Sequence, residues 1–393
     1  MMVSRYFTVL FIAMMLLLPL AFDNVVKAAS GPAKKPLRVY ILAGQSNMEG
    51  HAKVTTFDYI GDDPATAPLL KEMRASDCKP RICEGVWISY LTGWRDTIGE
   101  GNGKLTAGYG SRYGGEISEP GDKIGPEFTF GLTIEKAYDG PILIIKTAWG
   151  GKSLHTDFRS PGAGPYKLNE WQLKNYPKQE GHGIPKDFEK WKADKKKATG
   201  AYYRLMIKHV QHVLGDIKRV YPEYDPKHGF ELAGFVWFQG WNDMADGHTY
   251  PGPNKPGRYD LYSELLAHFI RDVRKDLNAS KMHFVIGVMG VGGVKEEPDY
   301  FRQAMASPAA MPEFKGSVVA VATAPYWDTA LGKIESKHGK VRQMSYFLRS
   351  KHKDHANKNG TMTAEQQQAY LKEYRAKRSR RNNVNNYFAG LIV

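Results

Sequence analysis

Three short stretches hold residue types that could carry out acyl transfer. The first is Gly44-Gln45-Ser46-Asn47, reached at the end of a largely apolar run over residues 37–43. An apolar run that halts at glycine reads as a buried strand feeding a tight turn, with Ser46 presented at the strand's carboxyl end. A serine hydroxyl becomes a nucleophile only where a base and oxyanion donors converge on it. A serine so placed also suits a helix cap. The second stretch, Trp149-Gly150-Gly151, follows the apolar segment 142–145. Glycine there lets a backbone N–H approach a developing negative charge. The third, Phe238-Gln239-Gly240-Trp241-Asn242-Asp243, follows segment 232–237. Asn242 can offer a side-chain amide N–H to the same oxyanion. Taken singly, each stretch also fits an ordinary turn. Taken together they put Ser46, Gly150 and Asn242 at the carboxyl ends of three strands, where open α/β sheets bind ligands.

These blocks resemble those of the SGNH hydrolases, and more narrowly the sialate O-acetylesterase-like (SASA) proteins related to carbohydrate esterase family six. The resemblance runs from about residue 37 to about residue 374. It implies Ser46 as nucleophile and Gly150 as a backbone donor. Asn242, within Gly240-Trp241-Asn242-Asp243, would be a side-chain donor. Gln45, Gln239 and Trp241, which flank the blocks, are the expected substrate-binding residues. The implied fold is a flavodoxin-like three-layer α/β sandwich, with a central parallel five-stranded sheet and long loop insertions. The implied activity is that of an exported serine esterase that removes acyl groups, acetyl above all, from polysaccharide or oligosaccharide. No metal or organic cofactor is needed for that chemistry.

One part of the family pattern has no counterpart. The family's catalytic histidine lies near the C-terminus, yet no histidine follows His355, and His338, His352 and His355 stand in no Asp-x-x-His. A positioned base contributes ~10²–10⁴-fold, so an impaired esterase is expected. A non-catalytic carbohydrate-binding protein of the same fold is the alternative. His51, His155 and His248 lie near the blocks, but none has a partner that marks it as the base. His248 reads as an exposed loop residue, and Asp243 as a cap of the turn that follows it.

The elements that must position these residues alternate. Strands are expected over 37–43, 142–145, 232–237, 283–289 and 318–322, and helices over 128–138, 202–221, 259–277, 299–306, 341–351 and 363–377. Such alternation argues for a parallel sheet with helices on both faces. Residues 55–125 read as a long irregular insertion. A second, polar insertion over 156–198 contains Trp171 and Trp191, either as a carbohydrate-stacking wall or as packing. The esterase domain is expected to span 37–376, followed by an atypical basic, Asn-rich tail over 377–393 that reads as truncated.

A chain of 393 residues, 42% hydrophobic, can bury a full core. The net charge of +14 and pI near 9.4 come partly from the lysines at 195–197 and the basic stretch 372–381. No nucleic-acid recognition motif accompanies them, so solvated basic faces are expected and nucleic acid is not. Attraction to acidic or sulfated polysaccharide is compatible with the charge. Arg5, the apolar stretch 7–22 and Val26-Lys27-Ala28 read as a signal peptide over 1–28. The protein is therefore expected to be secreted or periplasmic, with no stable membrane span after removal of the signal. Cys78 and Cys83 are close enough for a small local disulfide and equally suited to remain two thiols.

Overall fold

The computed structural model describes residues 35–378, apart from residues 65, 94–97, 113–119, 182 and 353–354. The expected signal peptide and residues 379–393 of the tail lie outside the described residues.

The apolar run Leu37–Gly44 forms strand β1, and Ile142–Ala148 forms β6, buried at every position. Continuous burial of this kind is what a central parallel strand requires, because both of its faces are covered. With β7 (Phe230–Phe238), β8 (His283–Val288) and β9 (Val318–Ala322), these are the five expected strands. They lie in the order β6-β1-β7-β8-β9, the flavodoxin-type order in which the second strand in sequence sits outside the first.

The expectation of a five-stranded sheet is corrected, because the sheet has seven strands. Both additions come from the segment expected to be irregular. Strand β3 (Val86–Thr92) pairs parallel to β6, and β4 (Gly99–Lys104) closes that edge antiparallel to β3. The β3 sequence, Val-Trp-Ile-Ser-Tyr-Leu-Thr, is rich in β-branched and aromatic residues, a legible strand signal. The β4 sequence, Gly-Glu-Gly-Asn-Gly-Lys, carries no such signal and is a strand through its pairing. Two short helices, α2 (Phe57–Ile60) and α3 (Ala67–Met73), and a ribbon of β2 (Ala52–Lys53) with β5 (Lys123–Ile124) complete the segment.

Helices cover both faces of the sheet. Tyr40 meets Phe130 of α4 (Pro126–Ala137) edge-on at 5.4 Å. On the opposite face, Trp237 and Phe235 pack on Phe269 of α9 (Asp260–Asp276) at 4.3 and 5.9 Å. Tyr203 of α7 (Ala201–Gly215) reaches the same ring at 5.7 Å. The second insertion folds into α5 (Glu170–Asn175) and α6 (Phe188–Ala198). Helix α1 (Ser46–Glu49) follows β1, α8 (Trp241–Ala245) follows β7, and α10 (Tyr300–Ala306) lies between β8 and β9. Helix α11 (Thr329–Ser350) starts earlier than its sparse apolar pattern suggested, because Asp328 caps it by accepting the Leu331 N–H at 2.9 Å. Helix α12 (Ala364–Arg378) packs on α11. Cys78 is exposed and Cys83 buried, with no disulfide between them. Burial and the neighbouring Glu135 push the Cys83 thiol up to about 12. Among the described residues, no helix is long and apolar enough to cross a membrane.

Candidate active site

Strand β1 must end very close to β7. A Cβ on Gly44 would stand 2.1 Å from the Phe238 carbonyl oxygen, so only glycine permits the approach. Gln45 N–H then donates to that carbonyl at 3.3 Å, and Trp149 N–H donates to the Gly44 carbonyl at 3.2 Å. The turns after β1, β6 and β7 are thereby stitched together, at the point where the strand order reverses and α/β sheets open a crevice. Ser46, Gly150 and Asn242 are brought to one end of the sheet. Ser46 is the first residue of α1, and the first N–H groups of a helix have no partner within it.

Gln45 organises the turn. Its Oε1 accepts from the backbone N–H groups of Gly240 and Asn242, at 3.1 and 3.3 Å, and from Gln239 Nε2 at 3.1 Å. Those donors fix which end of the amide is oxygen. Its Nε2 therefore points the other way, donating to Asn242 Oδ1 at 3.0 Å and reaching Ser46 Oγ at 3.4 Å. Because Asn242 accepts through its oxygen, its NH₂ end is turned away from Gln45 and has no hydrogen-bond partner among the described residues. Gln45 and Gln239 were expected to bind substrate, but both are 1% exposed and their polar atoms are engaged within the turn. Gln45 holds Asn242 through its Oδ1 and backbone N–H, and Gln239 in turn holds Gln45. Trp241, 45% exposed, remains available for contact with a sugar ring.

Gly150 sits against Ser46: a Cβ on it would lie 3.8 Å from Ser46 Cβ. Its N–H, however, donates to Glu49 Oε2 at 2.7 Å and is not free for an oxyanion in this arrangement. The Glu49 carboxylate also accepts from Thr92 Oγ1 at 2.9 Å and faces His51 Nε2 at 3.3 Å. Burial works against its ionisation, but His51, Thr92 and the Gly150 N–H outweigh this and hold its pKa below the ordinary glutamate value. Lys146, fully buried, fixes the end of α1 by spending all three ammonium protons: on the Glu49 carbonyl at 2.9 Å, the Tyr109 carbonyl at 2.8 Å and Glu127 Oε2 at 2.5 Å. Neither Glu49 nor Lys146 was singled out by sequence reasoning. The signal available for Glu49 was its position inside the serine motif.

Asp243 does not serve as a local cap. Its two oxygens accept from Leu154 N–H, His155 N–H, Gln239 Nε2 and Tyr250 Oη, at 2.6 to 3.0 Å, which ties the loop after Gly150 to the turn after β7. His155 is buried, with Nε2 3.2 Å from Asp246 Oδ2. Although burial opposes it, that contact and the Thr249 hydrogen bonds hold Asp246 well below the usual carboxylate range. His248 is not a free loop residue: it stacks on Trp171 at 4.5 Å and bonds Tyr176 Oη at 3.2 Å.

This arrangement of strand ends accompanies a family match. Residues 36–324, well over half the chain, match the family model described as "Carbohydrate esterase, sialic acid-specific acetylesterase" (SASA). The chain belongs to that family.

Solved structures similar to this SASA protein include one from Arabidopsis thaliana, 16% identical with a TM-score of 0.37, covering 73% of this chain and 86% of that one. Another, from Xanthomonas citri and described as a novel carbohydrate acetylesterase, is 15% identical with a TM-score of 0.38, covering 72% of this chain and 49% of that one. Comparison with curated proteins gives no match. Within the SASA protein itself, the hydroxyl of Ser46 has a single hydrogen-bond partner among the described residues, Gln45 Nε2. His51 turns to Glu49, while His352 and His355 stack on Phe347 at 4.4 and 4.6 Å, in the helical region beyond the sheet. No described histidine hydrogen-bonds Ser46, and no three described His, Cys, Asp or Glu side chains gather as a metal would need.

Proposed function

We propose that this SASA protein is an exported serine esterase of the SGNH type that removes acetyl groups from carbohydrate, and that it does so slowly. Ser46 Oγ attacks the ester carbonyl, the alcohol leaves, and water hydrolyses the acyl-enzyme. The tetrahedral oxyanion is held by the Ser46 N–H and by the Asn242 side-chain amide. Gly150 becomes a third donor only when the Glu49 carboxylate moves off its N–H. The observation that carries this reading is the orientation of Asn242: a buried glutamine that also reaches Ser46 takes its oxygen and leaves its NH₂ end without a partner among the described residues. Preorganised donors of this kind supply the largest single contribution in acyl transfer. Export rests on the apolar segment with a small-residue cleavage site over 1–28.

The rate is low because Ser46 leans on an amide rather than on an imidazole, which removes the ~10²–10⁴-fold a base provides. The same observation favours the second reading, a carbohydrate-binding protein without turnover. Hydrolysis of p-nitrophenyl acetate and labelling by a serine-reactive phosphonate separate the two. The esterase reading expects both, and expects Ser46→Ala to abolish both. Equal labelling of the Ala variant would remove Ser46 from the chemistry. No turnover in the unaltered chain leaves only the binding protein.

A further inference from the structure

The insertion between β6 and α7 builds a cleft of about 310 Å³, within the range of small-ligand sites (~300–1,000 Å³). Tyr166, Trp191, Lys192, Lys195, Lys196 and Thr199 are among its lining residues. Its wall is aromatic: Trp191 and Tyr166 are half-buried and meet edge-on at 6.3 Å. Its floor is cationic. Lys195 Nζ lies over the Tyr166 ring at 4.8 Å and the Trp191 ring at 5.1 Å.

The lysines of this cleft differ in their partners. Lys192 is neutralised by Glu189 at 2.7 Å. Lys195 has one hydrogen bond, to Thr156 Oγ1 at 3.2 Å, and neither it nor Lys196 has a carboxylate within ion-pair distance among the described residues. Asp246, Asp157 and Asp243 act on Lys195 only from farther away, while burial pushes its pKa down. Placement in the last turn of α6 suits lysines through the helix dipole, but that is satisfied by exposed side chains. It does not account for Lys195 being drawn into the cleft. A half-buried ammonium with two unspent protons beside two ring faces is a receptor for an anion carried on an apolar-faced ring.

The cleft communicates with the catalytic turn. Lys195 donates to Thr156 Oγ1, which lies 2.7 Å from His155 Nδ1. The N–H of His155 in turn is held by Asp243, the neighbour of Asn242. A residue bound in the cleft would thus rest on the segment that positions the oxyanion donor.

We propose that this cleft is a subsite for an anionic sugar residue of the substrate, with the ring on Trp191 and Tyr166 and its carboxylate or sulfate on Lys195 and Lys196. The proposal deepens the carbohydrate-esterase reading and rests on it for the presence of a sugar substrate, while its test is binding rather than turnover. The full chain carrying Ser46→Ala is titrated by calorimetry with galacturonate trisaccharide, a sulfated galactose trisaccharide and neutral xylotriose. At least one anionic ligand is expected to bind ten-fold or more tighter than xylotriose, and which one does so identifies the anion. Adding Lys195→Gln and Lys196→Gln should erase that preference. Lys196→Glu, at an exposed position that leaves folding intact, should lower it alone. Equal affinity for all three ligands overturns the proposal, as does a preference that survives both lysine substitutions. Loss of esterase activity in the parent chain, with the anionic preference intact, would overturn the esterase reading and not this one.

Discussion

Two serines of the sheet region, Ser46 and Ser89, each have what the other lacks. Ser46 stands half-buried at a strand end, bonded to the glutamine that also holds Asn242, but no imidazole among the described residues bonds to it. Ser89, on β3, has an imidazole and a carboxylate: its Oγ donates to Glu100 Oε1 at 2.7 Å and lies 2.9 Å from His209 Nε2. Arg219 grips the same carboxylate with two bonds of 2.8 Å. By residue type, Ser89-His209-Glu100 is the better triad. By geometry it is inert. Ser89 is 0% exposed, and its single proton goes to Glu100, so His209 must donate to it rather than accept from it. The contrast shows that acyl transfer depends less on the identity of neighbours than on the direction of protons and on room for a carbonyl. Ser46 is half-buried rather than sealed, and among the described residues no base bonds to it.

The comparison is broken most directly by labelling. Ser89→Ala should leave phosphonate labelling of the protein undiminished while lowering stability by ~1–3 kcal/mol, because Glu100 loses a donor and His209 an acceptor inside the fold. Ser46→Ala should do the reverse, abolishing labelling with little change in the thermal midpoint. If the phosphonate instead modifies Ser89, the cluster is accessible and the distinction between the two serines collapses.

The next effect is at Asn242. Removing its amide should lower kcat by ~10²–10³-fold with little change in KM, since the donor acts on charge that appears in the transition state. Asn242→Ala measured on p-nitrophenyl acetate provides the check. A change confined to KM would place Asn242 among the substrate contacts and leave Ser46 as poorly equipped as Ser89.

How far each region could be read in the sequence follows from the same contrast. The Ser46 turn was legible because glycine and amide residues recur after apolar strands, and sequence carries that spacing directly. Five strands and their flavodoxin-type order rest on the same signal. Strand β4 was not legible, since three of its six residues are glycine and only the β3 partner makes it a strand. The roles of Gln45, Asp243 and Lys146 were hidden for a different reason. Their partners lie up to 197 residues away in sequence, as Gln45 does from Asn242, and which lone pair meets which donor is decided only after the strand ends converge. Glu49 shows the limit most sharply. Nothing in the motif says that the carboxylate three residues after the serine will occupy the Gly150 N–H.

The smallest effect concerns pH and again separates the two regions. Burial pushes the His209 imidazole down to about 4, with Glu100 pulling the other way and Arg219 and His212 adding to the depression. In the unfolded chain the same group titrates at ~6.5. Between those values the unfolded chain binds a proton that the folded chain refuses, so stability rises with pH across the window. It is fully present above pH ~6.5, falls as the pH drops toward 4, and levels off below that. At 1.36 kcal/mol per pH unit, and allowing for the opposing carboxylate, the loss should be about 1–3 kcal/mol. Glu49, held below its ordinary value, contributes stability that is lost only as the pH falls below ~4.5. Denaturant midpoints measured from pH 7 to pH 5 should therefore decline, and His209→Gln, which keeps a donor toward Ser89, should flatten the slope. An unchanged slope in that variant would show that His209 takes up its proton within the fold, which would open the Ser89 cluster to the chemistry denied to it here.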